Sequence, residues 1–171
     1  MKYNYVKNYN KNIKFLNSRP AAKKAIILCN ALFPYLFGIA YLALWLYGAF
    51  KAEFGATEFV KIFCAPVFTL LIVCILRLMV DRPRPYAENG AGITPLIEKT
   101  GGGSSFPSRH VASAAVISMT FLPYLPAVGA LLFLCTIALG YMRFSLGWHY
   151  PSDLFVGFVL GFAIGIVPFF F

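Results

Sequence analysis

RFSLGWHYPSD, residues 143–153, lies between two apolar segments and carries His149, one of two histidines in a chain of 171 residues. Arg143 stands six positions before that histidine and Asp153 four after it. Pro151 and Ser152 have the character of a first helical turn, where the missing proline N–H costs nothing. A cation, an imidazole and a carboxylate thus meet at the edge of an apolar segment. Such a set suits a metal site, a helix-end anchor, or a nucleophile with its orienting acid.

The surrounding composition narrows the setting. Hydrophobic residues make up 60% of the chain and charged residues 12%, too apolar for an ordinary soluble domain. The apolar residues fall in blocks approaching the roughly 20 residues that a helix needs to span a bilayer. The expected fold is therefore an all-α membrane protein, a bundle of about five transmembrane helices preceded by an interfacial amphipathic helix. Residues 1–24 form the basic interfacial segment and 25–171 the transmembrane domain. Of fifteen basic residues, seven precede residue 25 with no acid among them, within a formal net charge of +9. That placement fits attraction to anionic membrane lipids, and no nucleic-acid motif is present to suggest a nucleic-acid partner. Cys29, Cys64, Cys74 and Cys135 lie singly in apolar runs and read as small buried hydrophobes. No cleavable signal peptide is expected.

In chain order, the first apolar block runs from Ala25 to Phe50 and contains Pro34. It divides into an interfacial part, about 22–32, and a span, about 33–50. A polar turn at 51–58 leads to a second span, about 59–79, which includes Arg77. A loop over 81–106 opens with DRPRPY and closes with the flexible stretch TGGGSS. Further helices are expected from about 107 to 122, from 126 to 142, and from 152 to the end. If the spans alternate in direction, the end of the second, the start of the third, the end of the fourth and the start of the fifth share one membrane face.

That face collects Arg77, Asp81, Arg82, Arg84, Ser108, Arg109, His110, Arg143, His149 and Asp153. Five arginines surround both histidines. Guanidinium forks match phosphate oxygens, and a helix start after Pro107 offers unpaired N–H groups to an anion. A divalent metal competes poorly, because the arginines would repel it and no acidic cluster offsets them. Anchoring at headgroups explains Arg82 taken alone, but not ten polar groups together. No metal or other cofactor is expected.

Arg77-x6-Arg84-Pro85, Pro107-Ser108-Arg109-His110 and Arg143-x5-His149-x3-Asp153 together resemble the three-part signature of the type 2 phosphatidic acid phosphatase family. The resemblance covers about residues 33–171, and three motifs in order at the right spacing make it specific. Two positions depart from the pattern: Arg77 stands where the signature has lysine, and Met142 where it has serine. The resemblance implies an integral-membrane lipid phosphatase acting on a lipid phosphate, such as phosphatidic acid, phosphatidylglycerol phosphate or an isoprenoid diphosphate.

On this reading His149 attacks phosphorus, Asp153 fixes its tautomer, and His110 protonates the leaving group and then activates water. Arg77, Arg84, Arg143 and Ser108 bind the non-bridging oxygens, with Arg109 as a further contact. The basic N-terminus argues for an N-inside orientation, which would place the site in the cytoplasm. The resemblance implies the extracytoplasmic face, and that face is the expectation.

Overall fold

A computed structural model of the chain describes residues 2–51, 54–87, 89–98 and 103–169. Ala52 and Glu53 of the polar turn and Thr100, Gly101 and Gly102 of the glycine stretch lie outside them. Six α-helices follow in order: α1 Lys2–Asn17, α2 Pro20–Phe50, α3 Ala56–Val80, α4 Arg109–Phe121, α5 Pro126–Ser145 and α6 Pro151–Ile166, with a final 3-10 turn at Val167–Phe169. No strand occurs among the described residues.

The boundaries follow from local chemistry. Proline opens α2, α5 and α6, where its fixed φ is already helical. The Glu58 carboxylate accepts the Gly55 N–H at 3.0 Å, capping α3. At the other end of α3, Asp81 turns left-handed with φ 35°, a conformation that Asp tolerates better than most residues. Pro83 and Pro85 follow and keep the helix from resuming.

Pro34 does not divide α2. The expected interfacial piece and span form one helix of 31 residues. At 1.5 Å per residue it is about 46 Å long, well beyond a hydrocarbon core of about 30 Å, so it has length to spare at the interface. Prolines persist in membrane helices because neighbours and local adjustment satisfy the freed carbonyl.

Of the five expected spans, three helices among the described residues are long and apolar enough to cross a membrane: α2, α3 and α5. The other two are shorter, α4 with 13 residues and α6 with 16, or about 20 and 24 Å. The reason lies in their position. Nine of the α4 side chains are buried, from Val111 to Phe121, because α4 packs against α2, α3, α5 and α6 at once. A helix enclosed by protein does not have to match the bilayer thickness.

The tightest packing joins α4 to α6. Gly157, Gly161 and Gly165 recur every four residues along α6, so they share one face. Cβ atoms placed there would lie 2.7 Å from the Ser108 carbonyl oxygen, 2.3 Å from that of Ala112 and 2.5 Å from the Met119 Cβ. Small residues let membrane helices approach to backbone contact in this way. Ser118 Oγ and Thr136 Oγ1, 3.1 Å apart, join α4 to α5, and each hydroxyl also bonds within its own helix.

Large apolar side chains cover the outside. Leu36, Ile39 and Leu42 on α2, Phe68, Leu71 and Ile75 on α3, and Leu131, Leu134 and Ile137 on α5 are exposed, as lipid-facing surfaces require. The cysteines depart from expectation here: Cys74 is exposed and the other three half-buried, all free. A bilayer removes the penalty that would drive a small hydrophobe inward.

The N-terminal helix also turns its apolar side to an unexpected partner. Tyr5, Tyr9 and Leu16 are buried against the protein. Tyr5 packs on Tyr150 with ring centroids 4.8 Å apart and meets Phe144 edge-on. Tyr9 donates its hydroxyl to the Thr94 carbonyl at 2.8 Å, and Asn12 bridges Ser145 and Tyr141. Lys7, Lys11 and Lys14 remain exposed. Helix α1 is thus docked on the end of the bundle that carries the α5–α6 connection.

Candidate active site

Four chain segments meet at that end: the exit of α3, the start of α4, the exit of α5 and the start of α6. A backbone bond from Ser108 N to the Asp153 carbonyl, 3.0 Å, ties the two helix starts together. The loop before α4 is held from two sides. Arg77 donates to the Pro107 carbonyl at 3.0 Å and to the Ser104 carbonyl. Ser105 N donates to the Arg82 carbonyl at 2.7 Å.

His149 is buried at 2% exposure in the connection between α5 and α6. Its Nδ1 lies 2.9 Å from the Ser105 carbonyl oxygen. A carbonyl only accepts, so Nδ1 carries the proton and the neutral ring keeps its lone pair on Nε2. Asp153 Oδ2 lies farther from the same nitrogen, at 3.6 Å. The nearest partner of Nδ1 is thus a backbone carbonyl, with the Asp153 carboxylate behind it. Asp153 is otherwise engaged, since Oδ2 accepts the Tyr150 N–H at 2.9 Å and Oδ1 accepts Arg82 Nη1 at 2.8 Å. It caps α6 and supplies negative charge beside the ring. Burial lowers the His149 pKa below the usual imidazole value; Asp153 opposes the shift and the Arg84 and Arg143 charges reinforce it.

The arginines divide by what they touch. Arg84, also buried, donates Nη1 to the Trp148 carbonyl at 3.2 Å, while its Nε has no partner. Its pKa is lowered, mainly by burial and also by the Arg109 charge, yet arginine stays cationic at any ordinary pH. Arg143, 3% exposed, stacks over Trp148 at 5.2 Å, and its Nε is likewise without a partner. Ser108 occupies the N-cap of α4, where a serine hydroxyl normally takes a backbone N–H. Here it makes no such bond, and the buried Oγ is unpartnered. Three of the five expected phosphate-binding residues thus keep a polar atom in reserve beside the His149–Asp153 corner. Buried polar atoms without a partner are rare enough to need a reason.

Arg109 and His110 sit at the same helix start but are exposed. They line a groove of ≈ 370 Å³ that continues along Pro34, Phe37, Gly38 and Leu70. Its walls are apolar beyond the polar end. Among the described residues no group of three or more His, Cys, Asp or Glu is placed to hold a metal.

Two participants were not singled out by the sequence. One is the Ser105 carbonyl, a backbone group that no motif marks. The other is the guanidinium of Arg82, which the sequence placed on this face without a role beyond anchoring at headgroups. It bonds Asp153 and the Ser152 hydroxyl at 2.8 and 2.7 Å and lies over the Tyr150 ring at 4.0 Å. The available signal was the charge of Asp153, which needs a cation once buried.

A family model described as the PAP2 superfamily matches residues 58–170. A lipid A 1-phosphatase of Rhizobium etli is 29% identical over 102 residues, covering 58% of this chain and 44% of that protein. The chain therefore spans less than half the length of that relative. The undecaprenyl-diphosphatase BcrC of Bacillus subtilis is 26% identical over 133 residues, 78% of this chain and 66% of that protein. Among solved structures, Aquifex aeolicus LpxE aligns with a TM-score of 0.74 at 24% identity, covering 97% of this chain and 94% of its own. A PAP2-type phosphatidylglycerolphosphate phosphatase from Bacillus subtilis aligns with a TM-score of 0.57 at 19% identity, covering 98% and 93%. These two share the fold.

Proposed function

The chain belongs to the PAP2 superfamily, and from that premise we propose that it is a multi-pass membrane lipid phosphatase. It removes a terminal phosphate from a phospholipid or an isoprenoid (di)phosphate through a phosphohistidine intermediate, without a metal. One observation carries the reading: Arg84 Nε, Arg143 Nε and Ser108 Oγ are buried and unpartnered around a histidine whose Nδ1 is held by a carbonyl. A phosphoryl group supplies the acceptors those atoms lack.

The steps follow from the residues. His149 Nε2 attacks phosphorus and the bond to the leaving oxygen breaks. His110, exposed at the α4 start, donates a proton to that oxygen. Water, losing a proton to His110, then attacks the phosphohistidine and releases phosphate. Arg84, Arg143 and Ser108 stabilise the charge that spreads over the equatorial oxygens. Asp153 stabilises the imidazolium character that develops on His149. Arg77 contributes through the Pro107 and Ser104 carbonyls as well as by its charge, and Arg109 contributes charge at the exposed side. The apolar groove beside Arg109 and His110 suits a substrate that carries a hydrocarbon chain.

We place the active site at the extracytoplasmic face. The basic residues of α1 are held on this face by aromatic docking to the protein, so they are weak reporters of orientation compared with short loops flanking a span.

Purified protein in detergent with excess chelator should release phosphate from phosphatidic acid, phosphatidylglycerol phosphate or an isoprenoid diphosphate. His149→Ala should abolish release. Activity that is lost to chelator and restored by a divalent cation would refute the metal-free chemistry. Binding of these lipids with no release would leave a lipid-phosphate binding protein instead.

A further inference from the structure

Arg82 touches both arms that hold His149. Its backbone carbonyl accepts Ser105 N–H at 2.7 Å, and the Ser105 carbonyl faces His149 Nδ1 at 2.9 Å. Its guanidinium meets Asp153 Oδ1 at 2.8 Å, and Asp153 Oδ2 stands 3.6 Å from the same Nδ1. Arg82, Ser105, His149 and Asp153 therefore form a closed ring of contacts. The backbone of Arg82 is itself pinned, between left-handed Asp81 and Pro83.

Resting on the phosphatase reading above, we propose that Arg82 is a positioning residue for the reaction, locking Asp153 and the first turn of α6 against His149. Two features separate it from the substrate-binding arginines. Its Nη1 is already committed to the protein, meeting both Ser152 Oγ at 2.7 Å and Asp153, whereas Arg84 and Arg143 each keep a buried, unpartnered Nε. It also neutralises the Asp153 carboxylate, which is fully buried. That pairing leaves the charges of Arg84 and Arg143 for the phosphoryl group. Arginine suits the task because a planar fork can bond in its plane and stack by its face on Tyr150, 4.0 Å away; a lysine cannot do both.

The test compares Arg82→Gln and Arg82→Lys with the full-length protein in detergent, measuring kcat, KM and the pH profile on phosphatidic acid. His149 is faced by Asp153 from α6, by Arg84 from the 81–87 loop and by Arg143 from α5. Removing the Arg82 charge leaves Asp153 unneutralised, so protonated His149 is favoured and the acidic limb of kcat/KM moves to higher pH. In Arg82→Gln, kcat should fall about 100-fold, the loss typical of a misplacement near 1 Å, with KM within about threefold of wild type. Arg82→Lys should restore the acidic limb but only part of kcat. A raised KM with kcat and the limb unchanged would make Arg82 a substrate ligand and overturn the proposal, as would wild-type values in Arg82→Gln. If Arg82→Gln does not fold, wild-type kcat in Arg82→Lys overturns it instead. Failure of the wild-type protein to release phosphate would strike the phosphatase reading rather than the Arg82 assignment.

Discussion

Replacing Gly161 by alanine should destabilise the protein, while the same change at Gly140 should not. The added Cβ at Gly161 would lie 2.3 Å from the Ala112 carbonyl oxygen, 2.7 Å from the Ala115 Cβ and 2.9 Å from Val116 N. Contact distances near 3.5 Å require α6 to retreat by about 1 Å. Two of the three obstacles belong to the α4 backbone and main core, so no flexible side chain can swing aside. Overpacking of this kind costs about 1–3 kcal/mol, and the better helix propensity of alanine offsets at most about 1 kcal/mol. A net loss of about 1–2 kcal/mol corresponds to a fall of about 2–8 °C in Tm for a chain of this size. At Gly38 and Gly140 nothing lies within 4 Å of the added carbon, so only the propensity gain remains and Tm should hold or rise by about 2 °C. Gly157→Ala is the functional counterpart, because its Cβ would sit 2.7 Å from the Ser108 carbonyl oxygen. Moving the start of α4 away from the His149–Asp153 corner by nearly 1 Å should cut phosphate release about 10- to 100-fold. Thermal unfolding in detergent, followed by Trp45 and Trp148 fluorescence, reads the first effect and a phosphate-release assay the second. Equal Tm values for Gly161→Ala and Gly140→Ala would refute the backbone-close packing of α4 on α6.

Three further outcomes follow from the same geometry. The proposed mechanism needs His149 neutral, and burial lowers its pKa, so kcat/KM should hold below the ordinary imidazole pKa of about 6.5 and fall only at more acidic pH; a pH–rate profile whose acidic limb lies above that value contradicts the buried neutral ring. Tyr9→Phe removes the 2.8 Å bond to the Thr94 carbonyl, and the loss of about 1 kcal/mol should appear as increased protease cleavage within α1. With the four native cysteines replaced, single cysteines at Lys11 and Glu98 should react with an impermeant thiol reagent from the outside of intact cells and one at Lys51 should not; labelling of Lys51→Cys alone would invert the orientation.

The sequence carried the helical membrane class and the order of the elements, because runs of apolar residues and the placement of prolines are local signals. It also carried the convergence of motifs at one end, since alternating spans leave few other arrangements. Span count was less legible. Helix α4 has the apolar character of a membrane segment but spends it on protein neighbours, and only tertiary packing reveals that a 13-residue helix can sit inside the bundle. The every-fourth-residue glycines of α6 were a readable sign of close packing, overshadowed by the polar motif preceding them. The role of α1 was hidden for a different reason: amphipathicity states that one face must be covered and does not say by what. A bilayer and the aromatic surface of Tyr150 and Phe144 satisfy it equally well. The Ser105 carbonyl had no signal at all, because every residue has one.

The two departures from the family signature gain a physical meaning from this geometry. A lysine in place of Arg77 would present a single ammonium, whereas the guanidinium reaches two carbonyls, those of Pro107 and Ser104, with separate nitrogens. Arginine here fastens the loop that carries Ser105 and leads into Ser108. Met142 is buried at 7% exposure and replaces a hydroxyl donor by apolar contact. Charge alone treats the five arginines as equivalent; their contacts do not. Arg77 fastens a loop and Arg82 a carboxylate, Arg84 and Arg143 keep donors in reserve, and Arg109 lines the mouth of the apolar groove. It follows that arginine-to-lysine changes, equal in charge, should separate these roles, with loop fastening expressed mainly in stability and reserve donors mainly in phosphate affinity.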